Sequence, residues 1–84
     1  MMSSAQATAT KELPTLRKGD KGGAVKLLQN ILISLGYMDK NLSTGNFLEQ
    51  TDFAVRNFQN GYNLTVDGVV GSKTWDLLGG VLWD

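Results

Sequence analysis

One short phrase occurs twice in this chain, as "TGNFLEQT" at residues 44–51 and as "DGVVGSKT" at residues 67–74. Both place Gly second and Thr eighth, with an apolar residue fourth, Phe47 in one and Val70 in the other. Each leads into a run with paired apolar residues, Ala54-Val55 and Leu77-Leu78. Glycine gives the backbone freedom for a tight turn, and the residues that follow have helical spacing. The phrase therefore reads as a turn that opens a helix, used twice. Its apolar fourth residue is expected to anchor the turn in the core. Its Thr is expected in the first helical turn, with the hydroxyl satisfying a free backbone group.

The rest of the chain supplies one more helix. From Ala24, the residues Val25, Leu28, Leu32 and Leu35 share a face, widened by Leu27 and Ile31. Lys26, Gln29, Asn30 and Ile33 fall on the polar side. Gly36 is placed to end this helix in a left-handed conformation. The second helix is expected from Leu48–Thr51 to Gly61, with Thr51, Ala54, Val55 and Phe58 inward. A short third helix, 72–78, presents Trp75 and Leu78, and "GGVLWD" follows as a terminal segment folding back on the domain. Three short helices with ordinary loops make an all-α, compact three-helix bundle. Residues 1–13 are small and polar and read as a disordered tail or linker, leaving 14–84 as one domain. The start lacks the charged and apolar regions of a secretory signal.

Composition excludes several function classes. The chain of 84 residues has no Cys and no His, which removes thiol nucleophiles, the usual general base and the commonest zinc ligands. Eight basic residues balance eight acidic ones, so there is no electrostatic footprint for nucleic acid. No apolar run has the length of a membrane span. A glycosidase needs two carboxylates in one cleft, and nothing in the spacing brings two together. Asp39, Asn41 and Ser43 alternate like the first ligands of a calcium loop, but the Gly comes one place late and the twelfth position is Gln50. No catalytic residue, metal or cofactor is expected.

The succession "LRKGDKGGAVKLLQNILISLGY", "GNFLEQTDFAVRNFQ" and "LTVDGVVGSKTWDLL" resembles the peptidoglycan-binding domain family of the PGBD-like type. The likeness runs from about Leu16 to Leu78. It includes Val25, Leu28-Gln29, Leu35-Gly36-Tyr37, Phe47, Thr51, Phe58-Gln59, Val66-Asp67-Gly68 and Thr74-Trp75. The resemblance implies a noncatalytic three-helix module that binds bacterial cell-wall peptidoglycan, often beside a cell-wall hydrolase, at the cell envelope or outside the cell. The chain departs from the family's Asp-Gly-x-Phe-Gly pattern in the first phrase. Thr44 stands for the Asp and Leu48 for the second Gly. If that Gly needed a positive φ, Leu48 would force a different backbone.

A glycan or stem-peptide ligand calls for amides, hydroxyls and an aromatic surface. Tyr37, Gln59, Tyr62, Asn63 and Asp67, near the loop ends of the helices, form the candidate ligand-binding cluster. Each also has a structural reading: Asp67 as a turn cap, Gln59 as a loop tie, either Tyr as half-core. Phe53 and Ile33 point away from their helices' core stripes. With Trp83, they define an alternative in which an exposed apolar patch engages a protein partner. The tail or the "VLWD" segment covering them is the simpler structural account.

Overall fold

The computed structural model describes residues 13–83, the side chain of Trp83 excepted. The tail expected over residues 1–13 lies outside the described residues but for Leu13. Helix α1 spans Gly23–Ser34 and buries Val25, Leu28 and Leu32 completely. Burying each such side chain is worth about 1.5–3 kcal/mol. At about 100° per residue, Gln29 falls only about 40° from Val25, inside this stripe. It is fully buried, and so corrects the expectation that it lies on the polar face. Leu27 does not widen the stripe, being 44% exposed; Ile31 does pack on the core. Gly36, at φ 90°, ends the helix as expected, and the Tyr37 N–H reaches back to the Leu32 carbonyl at 2.8 Å.

Helix α2 spans Glu49–Gly61 and buries Thr51, Ala54, Val55 and Phe58, together with Gln59. Two acidic residues in its first turn, Glu49 and Asp52, suit the positive end of the helix dipole. Its exit repeats that of α1, with Asn63 as the left-handed residue (φ 60°) and the Leu64 N–H bonded to the Gln59 carbonyl at 2.9 Å.

Helix α3 spans Ser72–Trp83, so it runs through Gly79 and Gly80 rather than stopping at Leu78. Gly-Gly is a poor helix former, but Leu77, Leu78 and Val81 keep contact with the core, and packing outweighs local propensity. Leu82, expected to fold back on the domain, stays on the exposed side. α1 contacts both other helices. A single 3-10 turn, Lys40–Leu42, interrupts the connection between α1 and α2.

Among the described residues there are no strands, only two isolated antiparallel bridges, Leu16 with Val70 and Lys21 with Asn46. They belong to an N-terminal segment that runs along both repeated turns. Leu16 exchanges both backbone hydrogen bonds with Val70, at 3.1 and 2.8 Å. The Gly19 N–H then donates to Phe47 and the Phe47 N–H to Asp20, at 2.8 and 2.9 Å. The indole N–H of Trp75 donates to the Pro14 carbonyl at 2.8 Å. Phe47 and Val70, the anchors of the two phrases, are fully buried beside Leu16.

Candidate functional site

Two buried glutamines hold the two phrases in the same way. The side-chain oxygen of Gln29 accepts the Gly45 N–H at 2.8 Å, and its Nε2 lies 3.0 Å from both the Asn46 carbonyl and Thr51 Oγ1. The side-chain oxygen of Gln59 accepts the Gly68 N–H at 3.0 Å, and its Nε2 lies 3.0 Å from the Val69 carbonyl and 3.3 Å from Thr74 Oγ1. A glutamine amide carries both donor and acceptor, so it can satisfy both faces of a turn at once. The Thr hydroxyls therefore meet glutamine side chains instead of the backbone groups expected for them. Its polarity disguises Gln29 in the sequence. A second repeat carries the signal, "AVKLLQN" at 24–30 and "AVRNFQN" at 54–60, with the glutamine at the same place in each.

The two departures in the first phrase are accommodated. Thr44 Oγ1 accepts the Asn46 N–H at 3.1 Å, as Asp67 Oδ1 accepts the Val69 N–H at 2.9 Å. Leu48 sits in an extended backbone at φ −116°, and its counterpart Gly71 is not at positive φ either. The position never required glycine, and the expected distortion does not arise.

The halves differ in the length of their connections. Gln29 lies 16 positions before its glycine and Gln59 only 9, so the first connection carries seven more residues. The additional chain forms one wall of an open groove of about 550 Å³, with Tyr37, Met38, Asp39 and Leu42 on one side. Glu49, Gln50 and Phe53, from the start of α2, form the other. Phe53 is 66% exposed. Lys18 donates to Glu49 at 2.9 Å; this hydrogen bond raises the pKa of Lys18 and lowers that of Glu49. The pair is solvent-exposed, and such pairs add little stability.

The five predicted site residues divide among three places. Tyr37 lines the groove and sets its ring edge-on to Phe58, with centroids 5.5 Å apart. Tyr62 lies against the same Phe58 at 4.8 Å, so the three rings form a row from the groove to the end of α2, where Asn63 makes the left-handed exit. Gln59 and Asp67 belong to the second turn and line a smaller cleft of about 320 Å³. The backbone hydrogen bond from Val69 holds the Asp67 carboxyl below its usual value against partial desolvation, and Gln59 adds to the lowering. Of the alternative patch, Phe53 is exposed and Ile33 is half-buried outside the groove. The side chain of Trp83 is outside the described residues. Ser43, in the trial calcium pattern, donates to Asn30 at 2.6 Å, and no cluster of three metal-binding side chains occurs among the described residues.

Residues 21–78 match the protein family described as "Putative peptidoglycan binding domain". The chain is 40% identical over 72 residues to the N-acetylmuramoyl-L-alanine amidase CwlM of Mycobacterium tuberculosis, covering 75% of this chain and 18% of that protein. It spans about half or less of the curated relatives it matches. The crystal structure of the SleB N-terminal domain superposes with a TM-score of 0.76 at 36% identity, covering 82% of this chain and 93% of that one. A peptidoglycan-binding protein from Clostridioides difficile, solved with glutamine hydroxamate, gives 0.78 at 38% identity, covering 83% and 43%.

Proposed function

The chain belongs to the peptidoglycan-binding domain family, and on that premise we propose that it is a noncatalytic module holding bacterial cell-wall peptidoglycan. The observation that carries this reading is the groove between residues 36–42 and the start of α2, where aromatic rings stand beside an amide and carboxylates. Sugar rings and peptide amides are both met by such a surface. Tyr37 makes direct contact, while Tyr62 and Asn63, on the far side of the buried Phe58 ring, offer a separate contact at the end of α2. Asp67 offers a carboxylate in the neighbouring turn, held in place by Gln59. The module then raises the local concentration of an attached or partner protein, such as a fused hydrolase, at the cell envelope. Retention of the chain on purified insoluble peptidoglycan tests this. Binding no better than that of an unrelated neutral domain sinks the proposal, and Tyr37→Phe, which keeps the ring packed on Phe58, is expected to reduce retention without unfolding.

The exposure of Phe53 favours one other reading, a protein-interaction module on the same scaffold. In that case the chain self-associates or captures a protein through Phe53, and Phe53→Asp abolishes the association while the fold remains.

A further inference from the structure

The groove in the first half differs from the cleft in the second half in its chemistry as well as its size. Among the described residues, two carboxylates, Asp39 and Glu49, line the groove, and no lysine or arginine does. Glu49 is already held by Lys18. Asp39 stands at the head of the 3-10 turn without capping it, and it has no ion pair among the described residues. Across the groove is Phe53, its ring mostly in water, with Tyr37 on the Asp39 side. The second cleft has no aromatic residue among the described residues and includes Lys73.

A carboxylate without an ion pair, in one groove with an exposed aromatic ring, suits an ammonium group. The carboxylate accepts its N–H donors, and the ring faces attract its charge. A neutral sugar also uses the rings, and its hydroxyls can donate to the carboxylate, but it brings no positive charge to pair with it. We propose that the groove takes the peptide part of peptidoglycan, through the free side-chain amine of its diamino residue, with Asp39 and Phe53 as the specificity-determining contacts. Gln50 is placed to meet the peptide's amides. The inference rests on the peptidoglycan-binding reading and makes it selective, since an amine consumed in a cross-link loses its charge and is recognised less well.

The test is an NMR titration of the 84-residue chain. The probes are Nα-acetyl-L-alanyl-γ-D-glutamyl-L-lysine, the same peptide acetylated on its ε-amine, and the N-acetylglucosamine tetramer. The free-amine peptide is expected to move the signals of Asp39, Gln50 and Phe53. Blocking the amine, Asp39→Asn or Phe53→Ala should each weaken it by about three- to fivefold. Both substitutions are on the surface, and circular dichroism should be unchanged. Equal binding of the blocked peptide, or movement of these signals by the sugar alone, overturns the proposal while retention on insoluble peptidoglycan leaves the wall-binding reading standing. Loss of that retention in the unsubstituted chain removes both.

Discussion

Gln29 Nε2 and Thr51 Oγ1 meet at 3.0 Å in the interior, with both residues almost entirely shielded from water. Gln59 and Thr74 form the corresponding pair at 3.3 Å. A polar side chain costs free energy to bury unless its partners are in place, and here they are. No described buried side-chain polar atom lacks a hydrogen bond. The two turns are therefore held by side chains of the helix before each, as well as by their own backbone.

Replacing either glutamine by alanine leaves a cavity and several unpaired turn groups. Gln29→Ala and Gln59→Ala are each expected to lower unfolding free energy by about 2–3 kcal/mol, measured in urea. Glutamate should also fail at either position, because its ionised form cannot donate to the turn carbonyl.

The two turn glycines should differ in tolerance. Both have positive φ, 84° at Gly45 and 73° at Gly68. A Cβ on Gly45 meets only the Gly22 carbonyl at 3.6 Å, whereas one on Gly68 would stand 2.5 Å from Asp52 Oδ1. There the Asp52–Arg56 ion pair lies over the turn, with Arg56 also donating to the Asp67 carbonyl at 3.3 Å. Gly45→Ala should cost about 1–2 kcal/mol from backbone strain alone. Gly68→Ala should cost more by displacing that pair, and the difference should shrink when Asp52→Ala is added. Thermal unfolding of the four variants checks this.

Acid should weaken one turn and spare the other. Asp67 has a folded-state pKa below its ordinary value of 3.8. Its contribution is therefore complete above the unfolded-state pKa and is lost as pH falls through the lower folded value. Thr44 does the same work in the first phrase without a titrating group. Asp67→Thr should thus preserve the fold while flattening the decline in urea midpoint between about pH 5 and about pH 2. An unchanged slope would mean that other carboxylates carry the acid sensitivity.

The family match begins at residue 21, yet Leu16 lies in the core and Pro14 accepts the Trp75 indole N–H. Leu16→Ala should destabilise by about 2–4 kcal/mol, and Trp75→Phe by about 1 kcal/mol through the lost hydrogen bond. A chain starting at residue 21 should show a far lower melting temperature than one starting at residue 13.

Periodicity located the helices because the stripes of α1 and α2 are apolar and regular, and the repeated phrase marked Phe47 and Val70 as buried anchors. Gln29 does not stand out in the sequence because its polarity masks its angle on the helix. The full length of α3 is not legible because two glycines look like a stop until the core they pass is in view. Gln59 reads equally as a ligand contact or a loop tie, and its hydrogen bonds are those of a tie. The groove is hidden for another reason. It arises from a difference in length between two connections, and that difference becomes visible only once the two glutamines are aligned.

The excursion from Tyr37 to Thr44 is pinned at both ends, by the Tyr37 N–H on the Leu32 carbonyl and the Gly45 N–H on Gln29. Met38 packs on the core and Ser43 donates to Asn30, which leaves the exposed stretch 39–41 as the part open to rewriting. This scaffold therefore suits loop grafting, with a foreign peptide or a randomised library displayed between two fixed posts.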